Sequence, residues 1–218
     1  MRLTLVCPVN DKKVAEENFL RSKVVRDKQC PVIVIEGAVN VPKALNFGKM
    51  QAVTTHMAFI HQDVFLPDEW LENAIEAVTY LTINVDSNFG ALGPAGRKGK
   101  HYFGNITDRG KSWGSPTGLP TEVDTLDELC LITRKDNVWF DEDIPTAHLY
   151  GADLCLSYKI RDLKSYAINL PCVHNSTVKN KVPDDFNCAK NYIRKKYYDI
   201  PSLFPIYTTC TIINRDSL

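Results

Sequence analysis

The residues best placed to do chemistry are His61-Gln62-Asp63, which follow the apolar run Met57-Ala58-Phe59-Ile60. Such a run reads as a buried strand, and in open α/β sheets ligands bind outside the carboxyl ends of strands. A carboxylate at that point can hold a divalent cation, and a hard cation holds diphosphate oxygens. A second group, Cys172-Val173-His174, follows the late apolar run Ala167-Ile168-Asn169-Leu170. If the two strand ends meet, Asp63 and His174 would share one metal. Mixed carboxylate and imidazole donors suit Mn²⁺, with Mg²⁺ as the alternative. A single Asp after a strand is also an ordinary turn or cap residue, and a single His an ordinary core or surface residue, so spacing alone leaves both readings open. The third group is Gly151-Ala152-Asp153, opening a helical run after the acidic Asp141-Glu142-Asp143. Asp153 reads either as a cap favoured by the helix dipole or as a general base within reach of an acceptor hydroxyl.

These groups need a scaffold, and the apolar pattern supplies one. Leu3-Thr4-Leu5-Val6-Cys7 and Pro31-Val32-Ile33-Val34-Ile35 read as buried strands, the continuous apolar kind that suits a sheet covered on both faces. Helical spacing is expected from Asp11 to Val24, from Pro42 to about Thr54, and after an Asp68 N-cap through Trp70, Leu71, Ala74, Ile75, Val78 and Leu81. Strand and helix thus alternate over the first 80 or so residues, which predicts an α/β fold with an open, mostly parallel sheet. Ala91-Leu92-Gly93 and Glu128 to Thr133 are further strands, with helices expected at Ala152 to Leu163 and Asp184 to Tyr197. Between them, residues 96 to 120 hold six glycines and two prolines with little periodicity, and read as a long mobile loop. Its Tyr102 and Trp113 are placed to close over a ligand.

Composition narrows the class. Lysine plus arginine equals aspartate plus glutamate at 26 each in 218 residues, so no basic excess points to a nucleic-acid partner. That length suits one domain. No apolar run approaches the roughly 20 residues that a transmembrane helix requires, and the expected location is cytoplasmic. The seven cysteines are odd in number and lack Cys-x-x-Cys spacing, which fits reduced, mostly buried thiols. Arg194-Lys195-Lys196, among Tyr192, Tyr197 and Tyr198, reads either as a peripheral membrane or acceptor-phosphate patch or as the solvated face of the last helix.

The order of these features resembles the GT-A glycosyltransferases, specifically a short family-2-like group with a His-Gln-Asp-Val stretch. The matching residues are Val6-Cys7-Pro8-Val9-Asn10, Val34-Ile35-Glu36-Gly37, Ala44-Leu45-Asn46 and Phe59-Ile60-His61-Gln62-Asp63-Val64, then Leu66-Pro67 and Trp70. Thr125-Leu126-Asp127-Glu128, Phe140-Asp141-Glu142, Gly151-Ala152-Asp153-Leu154 and His174 follow, so the likeness runs to about Pro205.

The resemblance implies a single-domain GT-A-like fold, with residues 1–95 as the nucleotide-binding half and 96–218 as the acceptor half. It implies transfer of a sugar from a nucleoside-diphosphate sugar, UDP-linked by preference, to a glycan or other hydroxyl acceptor, with inversion. Pro8, Asn10, Glu36, Asn46, His61, Gln62 and Asp63 would bind the nucleotide sugar. Asp63 and His174 would hold the metal, Glu128 would face the acceptor, and Asp153 would be the base. Two positions depart from the family pattern: His61 stands at the first acid of Asp-x-Asp, and Ala152 at the Glu of the Glu-Asp pair. With those two carboxylates gone, the alternative reading is a nucleotide-sugar-binding protein with weak or no turnover.

Overall fold

The structure, a computed structural model, describes residues 2–176 and 185–216. Its main sheet has seven strands. The first strands are β1 (Leu3–Val9), β2 (Val32–Glu36) and β3 (His56–Ile60), with the short β4 (Val64–Phe65) lying outside that sheet. β5 (Ala91–Gly93) belongs to it. β6 (Ala95–Lys98), β7 (His101–Gly104), β8 (Ile106–Asp108) and β9 (Lys111–Trp113) do not. β10 (Thr121–Val123) returns to it, followed by β11 (Thr125–Leu126), β12 (Cys130–Arg134), β13 (Ser165–Ala167), β14 (Cys172–His174), β15 (Ile206–Tyr207) and β16 (Ile212–Ile213). The main-sheet order is β10-β13-β5-β12-β3-β1-β2. β12 runs against both β3 and β5, and β10 against β13, while the other pairs are parallel.

Period-two alternation splits the core between the two faces of this sheet. Leu3, Leu5, Cys7, Ala58, Ile60, Cys130 and Ile132 point to one face, where α1 (Lys12–Glu17), α2 (Lys23–Arg26) and the helix over Trp70–Asn84 pack. Val6, Met57, Phe59 and Leu131 point to the other. That face carries α3 (Val41–Gln51), while α4 is the Trp70–Asn84 helix just named. α5 (Tyr150–Ile160) and α6 (Phe186–Lys196) complete it. A Cβ on Gly48 of α3 would lie 2.4 Å from Val6 Cγ1, so glycine lets α3 sit tightly on β1.

The expected strands and helices are present, with informative shifts. The helix expected from Asp11 breaks into α1, a 3-10 turn at Phe19–Arg21 and α2. Asn18, whose side chain donates to Val14 O at 2.9 Å, stands at the break, and Phe19 is buried there. Asp68 does not cap α4. Glu69 occupies the cap position without a side-chain bond, and Trp70 N donates to Pro67 O at 3.0 Å. The expected start of the last helix at Asp184 lies outside the described residues.

The largest correction falls on residues 96–120. β6–β7 and β8–β9 form two antiparallel hairpins there, where the glycine content reads as a structureless loop. Arg109 and Gly110 both have positive φ, 47° and 78°, as a two-residue hairpin turn demands. The glycines serve the turns, and strands of three or four residues are too short for alternation to show.

Candidate functional site

β1 and β3 are parallel neighbours and end together, placing Pro8, Asn10 and His61-Gln62-Asp63 along one edge of the sheet. β12 runs the opposite way beside β3, so its entry, Asp127-Glu128-Leu129, reaches the same edge, and His61 N donates to Leu129 O at 3.0 Å. His174 arrives differently. β14 pairs with β4 on one side and β8 on the other, aligning His174 with Val64 and with Asp108. Asn175 N donates to Asp63 O at 2.9 Å and closes the junction. Together these segments wall a cavity of about 580 Å³.

On its wall, His61, Asp63 and His174 offer ligand atoms that all lie within 4.8 Å of one another. His174 Nε2 is 3.4 Å from Asp63 Oδ2, and its Nδ1 is 3.7 Å from Asp108 Oδ1. His61 Nδ1 is 4.0 Å from Asp63 Oδ1. That Oδ1 is buried and takes no hydrogen bond from the described residues. A buried carboxylate oxygen without a donor is costly, and a cation beside two imidazoles would remove the cost. The residues therefore fit a divalent metal. Burial lowers the pKa of His61 more than Asp63 raises it, which favours a neutral imidazole. Burial would raise Asp63, but hydrogen bonding to His174 and the charges of both histidines hold its carboxyl below the ordinary range.

Glu128 also lines the cavity. Burial, helped by the neighbouring Asp127 charge, pushes its pKa up to about 8. Leu149 N donates to its Oε1 at 2.9 Å, which fixes one oxygen. A Cβ on Gly151 would lie 3.2 Å from the Glu128 backbone, so a small residue at this point lets α5 begin directly against it.

No family model matches the chain. A protein of Fuscovulum blasticum described as ATP synthase subunits region ORF 6 is 30% identical over 134 residues, which is 55% of this chain and 51% of that protein. The chain thus spans about half the length of the curated relative it matches. Among solved structures, S. aureus TarS 1-349 in complex with UDP-GlcNAc aligns over 91% of this chain and 67% of its own, at 13% identity and a TM-score of 0.55. The mannosyltransferase PcManGT from Pyrobaculum calidifontis, in complex with GDP-Man and Mn²⁺, aligns over 90% of this chain and 61% of its own, at 11% identity and a TM-score of 0.50. The chain has the GT-A glycosyltransferase fold. Among the described residues, no helix is long and apolar enough to cross a membrane.

Within this GT-A domain the expected site residues divide. Pro8, Asn10, His61, Gln62, Asp63, Glu128 and His174 line one cavity. Gln62 faces inward at its amide: its Oε1 accepts from Asn10 N and Asp11 N at 2.9 and 3.0 Å, and its Nε2 donates to Asn10 Oδ1. It shapes the turn after β1. Glu36 ends β2 exposed and outside the lining, whereas Ala38 and Val41 just beyond it do line the cavity. Asn46 is also outside. It is buried with its amide spent on Phe140 N, Phe140 O and Glu142, so it clamps α3 to the 140–142 segment instead of meeting a nucleotide.

Asp153 lies apart from the cavity too. Lys196 Nζ donates to both its carboxylate oxygens at 2.7 and 2.9 Å, Tyr197 Oη donates to Oδ1 at 2.8 Å, and the residue is 3% exposed. Its pKa is raised by burial against the pull of Lys196. Lys196 meanwhile bonds Asp141 Oδ2 at 2.6 Å, so that part of the basic stretch on α6 turns inward as a clamp, not outward as a patch. Tyr102 and Trp113 line the cavity, carried on strands. The reading from sequence missed Asp108, Arg109, Asp127 and Tyr150. Only Asp127, adjacent to Glu128, carried any local signal.

Proposed function

We propose that this chain transfers a sugar from a nucleoside-diphosphate sugar to an acceptor hydroxyl. The observation that carries the proposal is the Asp63 carboxylate, with His61 beside Oδ1 and His174 beside Oδ2, whose buried Oδ1 takes no hydrogen bond from the described residues on the wall of a cavity at the strand ends. His61, Asp63 and His174 would hold a divalent cation, Mn²⁺ ahead of Mg²⁺ for a donor set with two nitrogens, and that cation supplies charge neutralisation for the leaving diphosphate. In this reading residues 1–95 form the nucleotide half, with Pro8, Asn10, Ala38 and Val41 against the nucleoside. Residues 96–218 form the acceptor half.

Glu128 is the base in this proposal, in place of Asp153. It lies in the cavity, and a pKa of about 8 is close to that of an efficient proton acceptor near neutrality. The acceptor oxygen forms a bond to the anomeric carbon as the bond from that carbon to the diphosphate oxygen breaks. The acceptor proton passes to Glu128, and the nucleoside diphosphate departs. In-line attack with one base gives inversion. TarS with UDP-GlcNAc and PcManGT with GDP-Man name the two bases to try first. The test is nucleotide release from UDP- and GDP-sugars with Mn²⁺ and a panel of hydroxyl acceptors. Release that needs metal and an acceptor, and disappears in Glu128→Gln, supports transfer.

A second reading, binding of nucleotide sugar without turnover, is favoured by Asp153 being ion-paired outside the cavity. It gains if the donor binds and no acceptor or water releases nucleotide from either wild type or Glu128→Gln.

A further inference from the structure

Strand order sets out the cavity from end to end. Along the sheet edge Ala38 follows β2, Pro8 and Asn10 lie at the end of β1, His61 to Asp63 follow β3, and Asp127-Glu128 precede β12. The His61–Asp63 segment thus stands between the Pro8 and Ala38 wall and a second compartment beside Glu128. The turn between β15 and β16 lines the cavity there with Thr209 and Cys210. Thr209 Oγ1 donates to Asp127 Oδ2 at 2.8 Å, Arg97 Nη1 to Thr208 O at 2.9 Å and Thr125 Oγ1 to Tyr207 O at 2.6 Å, so the turn is fixed. Leu129 N donates to Asp127 Oδ1 at 3.1 Å. The carboxylate is held at both oxygens, and each keeps a lone pair for a ligand hydroxyl. Burial, then the Asp127 charge, raise the pKa of the Tyr102 hydroxyl, which stays uncharged beside that carboxylate.

Charge decides what fits. Among the described residues, the wall carries the carboxylates of Asp63, Asp108, Asp127 and Glu128 against one guanidinium, that of Arg109, 3.5 Å from Asp108. Arg97 turns its guanidinium to Gly99 O, Thr208 O and the Tyr207 ring. We propose that Tyr102, Asp127 and Thr209 form an acceptor subsite that selects an uncharged sugar over acceptors carrying phosphate or carboxylate at that place. This rests on the transferase reading above. A sugar hydroxyl donating to Asp127 makes a charge-assisted hydrogen bond. An anion there meets a fixed like charge. The half-buried Tyr102 ring supplies an apolar wall.

The test uses the full chain with Mn²⁺ and UDP or GDP, and reads sugar binding by saturation-transfer difference titration. The probes are matched pairs: the methyl glycosides of glucose, galactose and mannose, and the corresponding methyl glycosides of their uronic acids. The expected result is binding of at least one neutral glycoside, with its uronic acid partner at least about 10-fold weaker. Asp127→Asn is expected to weaken the neutral glycoside about 10-fold and to shrink the gap within the pair. A uronic acid that binds as well as its neutral partner overturns the proposal, and so does a gap unchanged in Asp127→Asn. Nucleotide binding with no glycoside bound overturns the subsite and leaves the nucleotide site standing. Binding of neither nucleotide nor glycoside sinks the transferase reading and the subsite with it. If Asp127→Asn does not fold, the wild-type preference and Thr209→Val decide: weaker glycoside binding in Thr209→Val is expected, and unchanged binding overturns the subsite.

Discussion

At the scale of single residues, the chemistry turns on which carboxylates are satisfied and which are not. Among the described residues one oxygen of Asp63 has no donor and both oxygens of Asp153 are bonded by Lys196, while the half-buried Glu128 has a raised pKa. The raised value has a sign that can be checked. The neutral form of Glu128 is favoured in the fold from its ordinary 4.5 up to about 8. Its contribution to stability is thus fully present below pH 4.5 and lost as pH rises through 8. Thermal unfolding in chelator should show Glu128→Gln gaining stability over wild type across that window, with no gain at pH 4. An equal difference at all pH values would contradict a raised Glu128 pKa. In transfer assays the same substitution should cost roughly 10² to 10⁴ in rate, the range for a lost general base. His61, Asp63 and His174 were legible in the sequence because each falls at a strand end. The role of Asn46 was not, since its amide is consumed by partners 94 and 96 residues away. No local pattern reveals that.

At the scale of elements, two devices deserve separate tests. The β8–β9 hairpin extends β14 and brings Arg109 and Trp113 to the cavity wall, with Trp113 51% exposed. Trp113→Ala should leave stability within about 0.5 kcal/mol, as exposed sites do, while raising KM for the acceptor more than it lowers kcat. A fall in kcat alone would place Trp113 elsewhere in the reaction. The second device is the clamp between α5 and α6, where Lys196 joins Asp153 to Asp141. Burial would lower the Lys196 pKa, but the two carboxylates outweigh it and hold it above the ordinary lysine value. Lys196→Ala leaves Asp153 buried and without its cation, a change that typically costs about 3 to 5 kcal/mol. Urea unfolding measures it, and a loss below about 1 kcal/mol would mean the pair is largely solvated. The hairpins themselves were invisible from sequence because glycine marks both flexible loops and tight turns. The long amphipathic helix over Trp70 to Leu81 was plain, since an apolar stripe kept over about three turns does not arise from a loop.

At the scale of the whole molecule, the parallel β1, β2 and β3 bring their carboxyl ends to one edge, and the reversed β12 brings its amino end there too. The small β4-β14-β8-β9 sheet then folds the late His174 back onto the early Asp63. The alternating strand–helix pattern made the first half of this architecture readable. The second half depends on short strands whose partners lie far off in sequence. The most direct measurement is calorimetric titration of UDP and GDP into the full chain, with Mn²⁺ and again with chelator, for wild type, Asp63→Ala and His174→Ala. The account predicts metal-dependent binding of one of these nucleotides, abolished by Asp63→Ala and weakened by His174→Ala. Binding that is the same in chelator and in Asp63→Ala, or no binding of either nucleotide with metal present, would contradict it.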